Sequence, residues 1–195
     1  MSAGEKPLLF PGACIAAVFD SAEAKALCIA SLMLGSPMPT AEPWTAIARL
    51  GPFGYVSAGI TLMSGFSVAE NLSMPLAYHR SGRRNELMAL AERLCRHAGV
   101  DSALLSASCD ELSPLERVQA TLLQAAVAEP EVLLLDAVFD GLSPQQQQTF
   151  ATNLQGYRRL MPLRRMIHLG YALPPQHLVP LDRCLTAQGV EECPA

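Results

Sequence analysis

Four features are missing from this 195-residue sequence, and each absence removes a class of protein. There is no long apolar run. The longest uncharged one covers residues 26–34, far short of the ~20 residues that cross a bilayer. No leader is visible either, since Met1-Ser-Ala-Gly-Glu-Lys runs straight toward Pro7 and Pro11, and no signal peptide is expected. Basic charge is not in excess: Lys and Arg total 14 against 18 Asp and Glu, for a net charge of −4. With no basic tail, that balance argues against nucleic acid as a partner. Finally, the six cysteines (Cys14, Cys28, Cys95, Cys109, Cys184 and Cys193) include no C-x-x-C pair. His97 follows Cys95 by two positions, which is no common zinc spacing, so buried free thiols of a reducing compartment are expected.

What is present is apolar. Half the residues are hydrophobic and only 16% are charged, too few charges for disorder and enough apolar side chains for one domain over residues 1–195. A mean hydropathy of +0.23 is high for a soluble monomer and points to apolar surface kept for a partner.

Apolar runs alternate with helix-like stretches from end to end, the pattern of a parallel sheet covered by helices. Residues 13–19 read as a buried strand, 21–34 as a helix stopped by Gly35, 35–54 as loop or short irregular structure, and 54–57 as a short strand. Ser67-Val-Ala-Glu70, Ser113-Pro-Leu-Glu116 and Ser143-Pro-Gln-Gln146 each read as a capping box, where two side chains satisfy free backbone N–H groups at a helix start. Residues 84–98 carry apolar positions at helical spacing. The same region holds five Arg against two Glu over residues 80–97, which reads as a solvated face. Val132-Leu-Leu-Leu-Asp136 is a buried strand ending on a carboxylate, and Arg165-Met-Ile-His168 and Arg183-Cys-Leu-Thr186 are two further short strands.

Residues 112–144 carry a family resemblance. Leu112-Ser113-Pro-Leu-Glu-Arg117, Val132-Leu-Leu-Leu-Asp136 and Phe139-Asp-Gly-Leu-Ser-Pro144 resemble the signature motif, Walker B strand and D-loop of ATP-binding cassette (ABC) ATPases, with 23 positions from Ser113 to Asp136. Gly54-Tyr-Val-Ser-Ala58 and Phe66-Ser-Val-Ala-Glu-Asn-Leu-Ser-Met-Pro-Leu76 resemble the Q-loop and the start of the helical subdomain. Residues 12–26 resemble the Walker A strand and loop. His168 stands where the switch histidine would follow its strand. The resemblance implies an α/β fold: a P-loop NTPase-like (RecA-like) parallel sheet core over residues 8–64 and 113–195, with a helical insertion at about 65–112. The antiparallel β-subdomain would be reduced, because little sequence remains for it.

The departures concern chemistry more than folding. A P-loop needs glycines so that successive backbone N–H groups can cradle phosphate, a Lys for charge, and a hydroxyl for magnesium. Here Phe19 and Ala24 stand at the glycine positions, Ala26 at the hydroxyl position, and Asp20 and Glu23 add negative charge. Ala58 replaces the Q-loop glutamine, Pro114 and Leu115 the signature glycines, Ala137 the carboxylate base, and Ser143 the D-loop aspartate. Lys25, Asp136 and His168 remain. Each has a plain alternative: Lys25 pairing with Asp20 or Glu23, Asp136 ending a strand or bonding a loop, His168 as a satisfied structural histidine. Trp44 either packs a hydrophobic edge or stands in for the adenine-stacking aromatic.

The resemblance therefore implies a degenerate, hydrolysis-deficient cassette with no catalytic residues and no or weak ATP and magnesium binding. It would be peripheral on the cytoplasmic face of a membrane, on a permease subunit and paired with a second cassette. Ile60, Leu62, Met63 and Phe66 would line the docking groove. The stretch from Ser67 to Leu76 looks most like cassettes of lipid or lipoprotein export and Mce/Mla-type systems. Two alternatives stay open: a partly active or composite ATP-binding subunit, and a regulatory scaffold without a transporter.

Overall fold

A computed structural model describes residues 9–35, 43–59, 62–77, 84–186 and 189–191. Its strands are β1 (Cys14–Val18), β2 (Phe53–Ser57), β3 (Val132–Asp136), β4 (Arg165–Gly170), β5 (Arg183–Thr186) and β6 (Gly189–Glu191). They form one sheet in the order β2-β3-β4-β1-β5-β6, parallel except for β6, which runs antiparallel to β5. The helices are α1 (Ala22–Leu34), α2 (Trp44–Ala48), α3 (Val68–Ala77), α4 (Arg84–Ala98), α5 (Pro114–Ala126) and α6 (Pro144–Leu160), with a 3-10 turn at Ser102–Ser106. The sequence pattern anticipates neither α2 nor β6.

Alternation along the strands sorts side chains into two cores. Cys14, Val56, Leu133, Leu135 and Met166 face α3 to α6 and join the larger core. Ile15, Ala17, Val132, Leu134, Ile167 and Leu169 face the other way, where Cys28 and Leu32 of α1 and Ile47 of α2 cover them. The next residue on that second face of β3 is Asp136, so the strand period alone aims its carboxylate toward α1.

All three capping boxes form, each Ser and its Glu or Gln partner bonded reciprocally. Gly35 ends α1 in the left-handed conformation at φ 66, which glycine adopts without the Cβ penalty of other residues. Gly156 serves a different need. A Cβ there would lie 2.1 Å from the His97 carbonyl oxygen, so only glycine lets α6 close on the end of α4. Beside it Asn153 donates to the Ala98 carbonyl at 2.7 Å and accepts from Gln119 at 2.9 Å, tying α4, α5 and α6 through buried polar groups. On the basic stretch, Arg93 and Arg96 are exposed, as a solvated face requires.

Cys14, Cys28, Cys95 and Cys109 are free and buried, and burial pushes the Cys14 and Cys28 thiols up to about 12. Cys184 departs from the expectation of free thiols, since it is disulfide-bonded.

Candidate functional site

β1 ends at Val18 and α1 begins at Ala22, leaving only Phe19, Asp20 and Ser21 between them. Ser21 caps the helix. Its side chain accepts the Ala24 N–H at 3.1 Å, and its carbonyl accepts the Lys25 N–H at 3.2 Å. The connection is a tight capped turn: Phe19 donates its N–H to the Gly170 carbonyl at 2.9 Å, and two N–H groups in the first turn of α1 are bonded to Ser21.

One turn into α1, Lys25 reaches across to the end of β3. Its Nζ lies 2.7 Å from Asp136 Oδ1, with both side chains largely withdrawn from solvent. Tyr55 donates its hydroxyl to Asp136 Oδ2 at 2.5 Å from the neighbouring strand. The register explains this: Ser57 pairs with Asp136, and Tyr55 lies two residues back on the same face. Tyr171, just beyond β4, covers the ammonium with its ring at 4.5 Å. Burial alone would lower the Lys25 ammonium, but the hydrogen bond and charge of Asp136, with Tyr171, hold it above its ordinary value. For Tyr55, burial and then Asp136 push the phenol well up. The group is a closed constellation: one cation, one anion, a neutral phenol donating to the anion and a ring over the cation. It borders an open groove of about 540 Å³ whose remaining wall is the apolar side of α1, including Ile29 and Met33.

Lys25 and Asp136 thus come together, and the partner of Lys25 is Asp136 rather than Asp20 or Glu23. His168 does not join them. It lies inside β4, two residues before its end, because pairing with β1 continues to Val18 opposite Gly170. The strand expected to end at His168 runs on to Gly170, and the residue after it is Tyr171. Alternation places His168 on the opposite face, 4% exposed and stacked on Phe139 at 6.0 Å. Burial, with a smaller effect of Arg158, pushes its imidazole down to about 3. It departs from a satisfied structural histidine, since Nε2 has no hydrogen-bond partner among the described residues.

Of the expected docking residues, Met63 and Phe66 are exposed, at 52% and 39%. Leu62 is corrected: it is buried in the larger core and presents nothing to a partner. Ile60 lies outside the described residues. The Met63–Phe66 loop is held by Asn71, which accepts the Met63 N–H and donates to its carbonyl, and by Asp110, which accepts from Ser64 and Gly65. Trp44 stacks on Phe19 at 5.8 Å and packs against the second core, in accord with a hydrophobic edge. Among the described residues no cluster of His, Cys, Asp and Glu could hold a metal ion, and no helix is long and apolar enough to cross a membrane.

Sequence reasoning missed Tyr55 and Tyr171. The signal for Tyr55 is its position two residues before the end of a strand paired with the Asp136 strand. For Tyr171 there is no local signal, because only the path of the chain after β4 brings it over Lys25.

Neither a family model nor a curated protein sequence matches the chain. Among solved structures it is similar to cbiO1 from Clostridium perfringens, part of the ABC transporter complex cbiONQ, with a TM-score of 0.70 at 16% identity over 93% of this chain and 74% of that one. It is also similar to MJ0796, a dimeric bacterial ABC transporter cassette, with a TM-score of 0.65 at 14% identity over 95% of this chain and 86% of that one. A post-hydrolysis structure of the same cassette, bound to ADP and Pi, gives a TM-score of 0.65 at 13% identity. A mostly parallel sheet covered by helices, matched over nearly the whole chain by these cassettes, is the P-loop NTPase fold of ABC transporter ATP-binding cassettes, and the chain has that fold.

Proposed function

We propose that the chain is a hydrolysis-deficient subunit related to ABC cassettes, which acts by docking on a membrane permease beside a second cassette. The observation that carries this reading is the Lys25–Asp136 pair. In the family these positions serve a phosphate and a magnesium ion. Here the two side chains neutralise each other, and Tyr55 occupies the second carboxylate oxygen.

Nucleotide with magnesium does not fit these residues. A phosphate cradle needs a loop wide enough for successive N–H groups to converge on an anion, whereas only three residues, none of them glycine, join β1 to α1, and the N–H groups of Phe19, Ala24 and Lys25 are bonded to protein oxygens. Ala26 has no hydroxyl for a magnesium ion, and Asp20 and Glu23 would oppose a polyphosphate at close range. Phosphoryl transfer depends on positioning and electrostatic stabilisation, and neither is supplied for a γ-phosphate.

Apolar surface supports a docking role. α1 is apolar on most sides yet leaves Leu27, Met33 and Leu34 exposed, and a helix with apolar residues all round is normally buried. Met63 and Phe66 add a second apolar point on an anchored loop. The domain division, with a helical unit at about 65–112, and a lipid-type cargo belong to the same proposal.

Membrane flotation of the expressed chain tests docking. Co-migration with membranes that carry its permease, and loss of co-migration in Phe66→Asp, supports it. Recovery of the unaltered chain wholly in the soluble fraction opposes it.

A further inference from the structure

Across the sheet from Lys25, a cavity of about 350 Å³ opens beside the ends of β3 and β4. Leu135, Ala137, Phe139, Leu169 and Leu173 supply apolar walls, Asp140, Gln147 and His168 polar ones, and the lining is mixed in character. Among the described residues, His168 Nε2 is the one buried side-chain nitrogen or oxygen without a hydrogen-bond partner. Leaving such an atom unpaired costs ~1–3 kcal/mol, and the interior elsewhere avoids it. Asn71, Gln119, Thr121 and Asn153 are all buried and all bonded.

The walls are fixed in place. Phe139 stacks on His168 with ring planes at 19° and meets Phe150 edge-on at 5.8 Å. Gln147 donates to the carbonyls of Phe139 and Leu142, holding the turn that carries the ring. The imidazole is neutral, as its burial requires. Among the described residues no Lys or Arg lines the cavity, and the exposed carboxylate of Asp140 would repel an anion. Phosphates and carboxylates are therefore mismatched here. A neutral imidazole has one donor and one acceptor nitrogen, so a hydroxyl can satisfy either tautomer.

We propose that this cavity binds a small, uncharged aromatic molecule bearing a hydroxyl or ring N–H, packed on the apolar walls and hydrogen-bonded to His168. The proposal is independent of the docking role, because its hydrogen-bonding group, His168, lies on the opposite face of the sheet from Lys25 and Asp136, and among the described residues only Tyr171 borders both places.

The test is titration of the full chain with phenol and, separately, with toluene, followed by NMR of the ¹⁵N-labelled imidazoles. Phenol should bind saturably, on the order of tenfold more tightly than toluene, and should shift the His168 Nε2 resonance. His168→Phe keeps a ring but removes both nitrogens, and should bring the two probes to similar affinity. Absence of saturable binding by either probe would mean that the cavity holds only water, and overturns the proposal. So does equal affinity of the two probes in the unaltered chain, or binding that leaves the His168 signal unmoved. If His168→Phe does not fold, the phenol and toluene comparison on the unaltered chain decides alone.

Discussion

Lys25 and Asp136 stand 111 positions apart in the chain, and their charged atoms meet at 2.7 Å with Tyr55 bonded to the carboxylate's other oxygen. A pair so withdrawn from water is costly to half-remove, because the surviving charge loses its partner and has little solvent to replace it. Asp136→Asn should therefore destabilise the fold by ~1–3 kcal/mol, below the ~3–5 kcal/mol of a fully buried pair. The exposed control Asp140→Asn should stay within ~0.5 kcal/mol. The double change Lys25→Met with Asp136→Leu should recover much of the loss. Urea denaturation of the three variants measures this, and equal stability of Asp136→Asn and Asp140→Asn contradicts it.

The same cluster, together with the buried Cys14 thiol of the larger core, fixes the alkaline behaviour. Lys25, Tyr55 and Cys14 are all shifted upward, so the folded chain holds protons that the unfolded chain releases. Their contribution is complete below about pH 9, the ordinary value of the thiol, and is lost as pH rises toward the folded-state values. Stability should fall from about pH 9 upward, and Tyr55→Phe should flatten part of that fall. Thermal melts across pH 8–11.5 check the slope.

On the acid side the sign reverses, because His168 is pushed down from 6.5 to about 3. The unfolded chain takes up a proton below pH 6.5 that the folded chain refuses, so stability is lost as pH falls through that window. Between pH 6.5 and 5 the loss should approach ~1.4 kcal/mol per pH unit. Carboxylates held low by capping, such as Glu116, act only below their ordinary value of 4.5. His168→Phe should remove the slope between pH 6.5 and 5 while leaving the steeper loss at lower pH.

Met63 and Phe66 differ from Leu62 in what they do, although one short stretch holds all three. Leu62→Ala should cost ~2–4 kcal/mol of stability by opening the larger core. Phe66→Asp should leave the melting temperature within a few degrees and weaken assembly with the permease by tenfold or more, as removal of ~1.5–3 kcal/mol of buried side chain implies. Lys25→Ala should lower stability but not assembly. Pull-down of the three variants, normalised to folded protein, separates these roles.

The fold was legible because its signals are local. Capping boxes at Ser67, Ser113 and Ser143, the uninterrupted run Val132–Asp136 and the stop at Gly35 each declare an element within a few residues. The site was half legible. Lys25 and Asp136 could be named, but not their mutual contact, because pairing depends on strand order and on which face the β3 period exposes. The end of the His168 strand was placed two residues early for a related reason: where a buried strand ends is set by its neighbour, here β1 running to Val18, and not by its own composition. Leu62 and Met63 are adjacent apolar residues with opposite fates, and no periodicity within a loop distinguishes them. Cys184 shows no pairing signal in its spacing.

Restoring a carboxylate base should not restore turnover. Ala137→Glu supplies the missing group, but the capped turn after β1 and the neutralised Lys25 remain. Steady-state phosphate release by the purified variant should stay at background, and measurable turnover would show that a phosphate site exists after all.

Isothermal titration of the purified chain with ATP in the presence of magnesium tests directly whether the chain has lost its nucleotide site. With Lys25 and Asp136 closed on each other and no cradle at Phe19–Ser21, no saturable binding should occur below ~1 mM, equivalent to roughly −4 kcal/mol. Saturable binding in the micromolar range would contradict the account and favour an ATP-binding subunit.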